Sequence, residues 1–111
     1  MSALEALDGL AALPDNWDGE GAVAPNAAAR DAAREVLRAL IDRGVTTLDV
    51  DADVTGGVAV TLYGNAAGRS VWFSCDNTGE IVVIYSANTG ALPHGERLGG
   101  GSMERALAWV S

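Results

Sequence analysis

The chain has 111 residues, 49% of them hydrophobic, and its 15 acidic residues against 7 basic ones give a net charge of −8. This length predicts a single domain spanning residues 1–111, and the apolar content excludes a disordered chain. No apolar run approaches the roughly 18 residues of a membrane-spanning helix, and the acidic N-terminus lacks the basic residues of a secretory signal. We therefore expect a globular, cytoplasmic protein that has no membrane partner.

The surplus of acidic residues is confined to two parts of the chain. Residues 1–25 and 44–68 contain acids but no arginine, whereas acids and arginines balance elsewhere. The unbalanced acids are Glu5, Asp8, Asp15, Asp18, Glu20, Asp49, Asp51 and Asp53. If both parts share one side of the fold, they form an acidic face that repels nucleic acid and attracts a basic protein. The alternative is that the acidity only keeps a small protein soluble.

Two helices are predicted before the first strand. A capping box at Ser2 begins a short helix over residues 3–12, whose leucines recur at helical spacing. Asn26 is the predicted N-cap of a longer helix over residues 27–43, which Gly44 terminates.

A turn-rich stretch, N-W-D-G-E-G-A, connects the two helices. Its single large ring, Trp17, is predicted to pack between a helix and the sheet. Alternatively, Trp17 forms an exposed contact patch with Asp18 and Glu20, and Asp15 adds a further acid. Aromatic side chains among charges are typical of the residues that dominate protein interfaces.

The motif resembles the opening of a loose group of small bacterial and phage-associated proteins. In that group N-W-D-G-x-G-A is followed by a proline, a helix and a meander of strands with G-R and D-G turns. This chain matches at Asn16 to Ala22, at Pro25 and at Gly68-Arg69. It departs at residues 76–80, where D-N-T-G replaces a plain D-G turn. The resemblance implies the fold and carries no activity.

Four strands joined by short turns are predicted between residues 46 and 86, where β-branched and aromatic residues fill the runs. Short turns make neighbouring strands antiparallel. Trp72 and Phe73 are consecutive and must therefore point to opposite faces of the sheet. After Gly90 the strand pattern of β-branched and aromatic residues ends. Ser102 is predicted to cap a closing helix. The fold class is α+β in the order ααββββα, with a four-stranded antiparallel sheet, a central helix and short helices at both termini.

The first strand places three acids on one face. Asp49, Asp51 and Asp53 alternate with apolar residues, so their carboxylates lie about 6.7 Å apart along a strand. An EF-hand is excluded because Val54 and Val60 stand where glycine and glutamate are needed. The row then indicates a solubilising edge strand, a loose divalent-cation site, or an acidic ladder that occupies a basic channel meant for DNA or RNA.

The sequence gives little support for catalysis. Cys75 and His94 are the only cysteine and histidine, and they come from a strand and a loop, which does not indicate a nucleophile with its base or a zinc site. The glycines before Ser102 lack the lysine of a phosphate-binding loop. We expect neither enzymatic activity nor a cofactor nor a metal site.

The leading hypothesis is a small acidic inhibitor that blocks a basic, nucleic-acid-binding partner, for example a phage anti-CRISPR protein that mimics nucleic acid. Its predicted partner-binding residues are Asp15, Trp17, Asp18, Glu20, Asp49, Asp51 and Asp53. The alternative is an immunity or antitoxin protein that caps the active site of a toxin. In that case the shape around Trp17 would matter more than the acid row.

Overall fold

A computed structural model describes residues 2–45, 48–53, 56–64, 68–87 and 94–110. Within these ranges the fold is α+β, with three helices against one face of a five-stranded antiparallel sheet. The helices are α1 (Ala3–Gly9), α2 (Ala27–Asp42) and α3 (Ser102–Val110). The strands are β1 (Leu48–Ala52), β2 (Val58–Tyr63), β3 (Ser70–Cys75), β4 (Ile81–Ser86) and β5 (His94–Arg97), and they lie side by side in chain order. None of the described helices is long and apolar enough to cross a bilayer.

The fifth strand is the main difference from the predicted fold. The α+β class is confirmed, but the element order is ααβββββα because residues 94–97 form β5 at the edge of β4. This short run, H-G-E-R, contains no β-branched residue, so its strand propensity did not predict a strand. Contacts with its partner strand β4 stabilise it instead. His94 lies opposite Tyr85 and stacks on its ring, and Glu96 accepts a hydrogen bond from the Tyr85 hydroxyl at 2.8 Å.

The predicted starts of α1 and α2 are confirmed. The Ser2 hydroxyl accepts a hydrogen bond from the Glu5 amide at 3.2 Å. The Asn26 side chain accepts one from the Ala29 amide at 3.0 Å, which caps the start of α2. Gly44 has a φ of 84°, a left-handed conformation that terminates α2 at low cost because glycine has no Cβ.

Smaller differences concern the ends of the two short helices. α1 stops at Gly9 and continues as a 3₁₀ turn over Leu10–Ala12, in keeping with the poor helix propensity of glycine. The Ser102 hydroxyl, which was predicted to cap α3, accepts a hydrogen bond from the Gly99 amide at 2.9 Å, outside the helix.

The hydrophobic core lies between the helices and the inner face of the sheet. Phe73 is fully buried in β3, between its cross-strand neighbours Val60 and Val83, which are also fully buried. α1 packs against β1, α2 against β2 and β3, and α3 against β3 and β4. The helices therefore follow the order of the strands, and the inner side of β5 lies beyond the main helix contacts.

Two asparagines tie the β3–β4 turn to the start of α2. The Asn77 side chain accepts a hydrogen bond from the Asn26 amide at 2.9 Å and donates one to the Ala24 carbonyl at 3.2 Å. The Asn26 side chain in turn donates to the Asn77 carbonyl at 2.8 Å. The D-N-T-G turn supplies the asparagine for this link.

Candidate partner-binding face

The sheet face that points away from the helices, called the outer face, is covered by none of the described helices. Its residues on the first four strands are Asp49, Asp51, Ala59, Thr61, Tyr63, Ser70, Trp72, Ser74, Val82, Ile84 and Ser86. All of them retain exposed surface, whereas every inner-face residue of β2 and β3 is buried. One covered face and one solvated face are typical of an antiparallel sheet. The outer face is therefore available to a partner.

β1 carries two of the three predicted acids onto the outer face. Asp49 lies opposite Thr61 and Asp51 opposite Ala59, and both aspartates are exposed. β1 ends at Ala52, so Asp53 lies in the hairpin turn, where its amide donates to the Gly57 carbonyl at 3.0 Å. The acid row of the structured strand thus consists of two carboxylates. Positions 46, 47 and 54 of the predicted first strand lie outside the described residues.

A tyrosine lies beside the first of these carboxylates. Tyr63 follows Thr61 by two residues on β2 and is the diagonal neighbour of Asp49, within reach of a long side chain. Interaction with the Asp49 carboxylate is the main cause that raises the pKa of the Tyr63 phenol. Tyr63 is 52% exposed, so an aromatic surface adjoins the acid row.

The middle of the outer face is apolar. Trp72 is half-buried there and has Thr61 and Ile84 as cross-strand neighbours. The prediction that Trp72 and Phe73 point to opposite faces is confirmed. On β4, which lies inside the sheet between β3 and β5, Val82 and Ile84 keep part of their surface exposed. An apolar patch beside exposed acids is a composition that suits a binding surface.

In the loop between α1 and α2, which carries the predicted acids Asp15, Asp18 and Glu20, the two aspartates bond to the loop itself. Asp18 accepts hydrogen bonds from the amides of Glu20 at 2.8 Å and Ala22 at 3.1 Å, and these bonds lower the pKa of its carboxyl group. Asp15 accepts one from the Ala24 amide at 3.1 Å. Glu20 is exposed. The two aspartates therefore hold the loop closed, since each satisfies amides of its own connector.

Trp17 lies in this same loop and not between the helices and the sheet. It is half-buried, and its indole N–H approaches the Val23 carbonyl at 3.4 Å. It is not part of the hydrophobic core, contrary to the predicted packing. Asn16 has a φ of 63° and accepts a hydrogen bond from the Gly21 amide at 2.6 Å. The N-W-D-G-E-G-A sequence thus builds a self-contained turn that presents part of the tryptophan to solvent.

The surplus acids of α1 and β1 share one edge of the fold but not one face. α1 packs against the inner face of β1, so its acids lie in the helical layer, whereas Asp49 and Asp51 point from the outer face. One of the α1 acids is neutralised, because the Asp8 carboxylate pairs with Arg34 at 2.6 Å. Among the described residues, no arginine forms an ion pair with Asp49 or Asp51. These two carboxylates therefore keep their charge available at the outer face.

Other chemistry is not assembled within the described ranges. No group of three histidine, cysteine or acidic side chains in them is arranged to hold a metal ion. Cys75 and His94 lie opposite the two ends of β4, at Ile81 and Tyr85, so they do not meet as a nucleophile and its base. Burial raises the pKa of the Cys75 thiol to about 12, which leaves it protonated at neutral pH.

Tyr63 and Ile84 were not among the site residues predicted from the sequence. The alternation that placed Asp49 outward also assigns Tyr63, but only when the β1–β2 register is known. Ile84 was hidden because β4 is apolar at every position but its last two, Tyr85 and Ser86, so the pattern did not show which face is solvated.

No protein-family model matches the chain, and neither the curated proteins nor the solved structures contain a match. The resemblance carried by N-W-D-G-E-G-A therefore stays a prediction, and the functional argument rests on the geometry of the site.

Proposed function

We propose that this chain is a small acidic inhibitor that uses the outer face of its sheet to occupy a basic, nucleic-acid-binding surface of another protein. The observation that carries the proposal is the placement of exposed Asp49 and Asp51 beside Tyr63, with Trp72 one strand further across the same face. Surfaces that bind single-stranded nucleic acid combine a positive groove for phosphates with aromatic groups that stack on bases. Carboxylates flanked by rings complement both features.

The charge of the chain supports the same function. Alternate residues of a strand are about 6.7 Å apart, a spacing comparable with that of successive phosphates in an extended single strand. The net charge of −8 attracts a basic partner over a distance and speeds encounter at low salt. In this proposal the chain binds rather than catalyses, and it meets its partner in the cytoplasm. A phage-encoded inhibitor of an RNA-guided nuclease is one form that such a protein takes.

The test captures partners from nuclease-treated bacterial extract on the immobilised chain and measures the affinity of each captured protein at several salt concentrations. The double variant Asp49→Asn/Asp51→Asn should bind at least about tenfold more weakly, because it removes the charges that face the partner. The matched control is Glu5→Gln/Glu35→Gln, which loses the same charge from exposed positions of α1 and α2. It should stay within about twofold of the wild type.

Competition separates mimicry from other binding. A single-stranded oligonucleotide should displace the chain from its partner, and affinity should fall as salt rises. Equal losses in the two double variants, or binding that an oligonucleotide leaves intact, would show that the proposal is wrong. A captured toxin whose binding survives salt and the aspartate changes, but is lost in Trp17→Ala, would support the immunity-protein alternative.

A further inference from the structure

A concave site lies on the helix side of the sheet, where β5 extends beyond the helices. α3 packs against β3 and β4, so inner-side residues of β5 such as Glu96 are left only partly covered. The resulting cavity, called the α3 pocket, has a volume of about 380 Å³. Its described lining includes Arg69, Tyr85, His94, Glu96, Arg105 and Trp109. Small-molecule sites typically have volumes of about 300–1,000 Å³, so the cavity is large enough for a small ligand.

Three aromatic rings form a wall of the α3 pocket. Tyr85 and His94 are stacked with their centroids 5.1 Å apart, and Trp109 meets them edge-on at 5.8 and 5.9 Å. The Trp109 indole N–H lies 3.2 Å from the Ser70 carbonyl and 3.0 Å from the Ser86 carbonyl. These backbone acceptors fix the tryptophan ring, so the wall is formed before any ligand arrives.

The charged groups of the pocket are not equivalent. Oxygen Oε1 of Glu96 accepts two hydrogen bonds, from Arg105 Nε at 2.9 Å and from the Tyr85 hydroxyl at 2.8 Å. Both contacts lower the pKa of the Glu96 carboxyl group. Arg69 instead lies over the Trp109 ring at 4.8 Å and forms no ion pair with a described residue. Counted over its described lining, the pocket therefore has a surplus positive charge in an acidic protein.

We propose that the α3 pocket binds a small planar aromatic anion. The ring of the ligand packs against His94 and Trp109, and its anionic group forms charge-assisted hydrogen bonds with Arg69, the pocket cation that pairs with none of the described acids. Glu96 and Arg105 neutralise each other and hold Tyr85 in place. The same chemistry is present in a nucleoside monophosphate and in an aromatic carboxylate. This site is separate from the outer face and does not depend on the inhibitor function.

The test titrates the full-length ¹⁵N-labelled chain with adenosine 5′-monophosphate and, separately, with indole-3-acetate. The indole N–H signal of Trp109 should shift saturably with a Kd below about 1 mM for at least one probe, while those of Trp17 and Trp72 stay in place. Trp17→Phe and Trp72→Phe assign the three signals. The probe that binds identifies the source of the anion. The neutral partners, adenosine and indole, should bind at least about tenfold more weakly because they lack the charged group.

Two arginine variants locate the binding charge. Arg69→Gln should weaken binding of the responding probe by at least about tenfold. Arg97→Gln removes the same charge from the opposite face of β5, where Arg97 pairs with Glu80 at 2.9 Å, and should leave affinity unchanged. Retention of the other backbone signals shows that both variants are folded. The proposal is overturned if neither probe shifts Trp109, if the neutral compounds bind equally well, or if both variants lose affinity alike.

Discussion

The two faces of the sheet differ in what their side chains do, although the same strands supply both. Phe73 is fully buried on the inner face, while its neighbour Trp72 stays partly exposed on the outer face. Val50 and Asp51 divide in the same way on β1. The inner face is where burial stabilises the fold, and the outer face is where charge and aromatic surface remain available. Stability and partner binding should therefore respond to different substitutions at adjacent positions.

The largest difference between the faces should appear in thiol reactivity. Cys75 on the inner face is buried with a pKa raised to about 12, so Ellman's reagent should modify the native protein very slowly. In the variant Cys75→Ala/Ser74→Cys the thiol moves to the outer face, and its reaction should be at least about 100-fold faster. Equal rates in native buffer would contradict the burial of Cys75.

The raised pKa of Cys75 also makes the free energy of unfolding depend on pH in a definite direction. As pH rises from about 9 towards 12, the Cys75 thiol ionises in the unfolded chain before it does so in the folded one. The unfolded state is thereby favoured, so the contribution of this thiol to stability is present below about pH 9 and is lost above it. In Cys75→Ala the decline in the free energy of unfolding over this range should be smaller.

The next effect concerns unfolding. Phe73→Ala should lower the free energy of unfolding by about 3–5 kcal/mol, because it leaves a cavity at a fully buried position. Trp72→Ala should lower it by about 1 kcal/mol, since the ring is already partly exposed. Urea denaturation followed by circular dichroism measures both. Similar losses for the two variants would mean that the outer face contributes to the core.

The smallest effect is a shift in one tyrosine titration. Asp49 raises the pKa of Tyr63, so Asp49→Asn should lower the pKa of that phenol towards its ordinary value near 10. Because the pKa of Tyr63 is raised in the folded state, its interaction with Asp49 contributes stability below about pH 10. This contribution is lost as the pH rises through the pKa of the folded state. Tyrosinate absorbance against pH measures the shift, and Tyr63→Phe assigns it. An unchanged pKa of Tyr63 in Asp49→Asn would show that Asp49 does not interact with this phenol.

The sequence predicted the parts of this fold that depend on neighbouring residues. The side-chain cap at Asn26 and the outward placement of Asp49 and Asp51 follow from local rules for helix starts and strand alternation. β5 was missed because its residues have no strand propensity and pair only when the edge of β4 is present. The alternation of side chains along a strand is a local property, but the packing of the sheet decides which of the two faces is buried.

The candidate sites were less predictable for the same reason. Asp18 and Asp51 look alike in the sequence, yet one bonds the amides of its own loop and the other faces solvent on a strand. The α3 pocket could not be predicted at all, because its rings come from three different elements. Tyr85 lies on β4, His94 on β5 and Trp109 on α3, and they meet only in the folded protein.

The asparagine link between α2 and the β3–β4 turn has a consequence for how the molecule opens. It joins residues 51 positions apart in the chain, and it includes the amide of the N-cap itself. Asn26 can make its capping bond and this link at the same time only while the hairpin is closed. The first turn of α2 and the β3–β4 hairpin should therefore exchange their amide hydrogens as one cooperative unit, although one belongs to the helical layer and the other to the sheet.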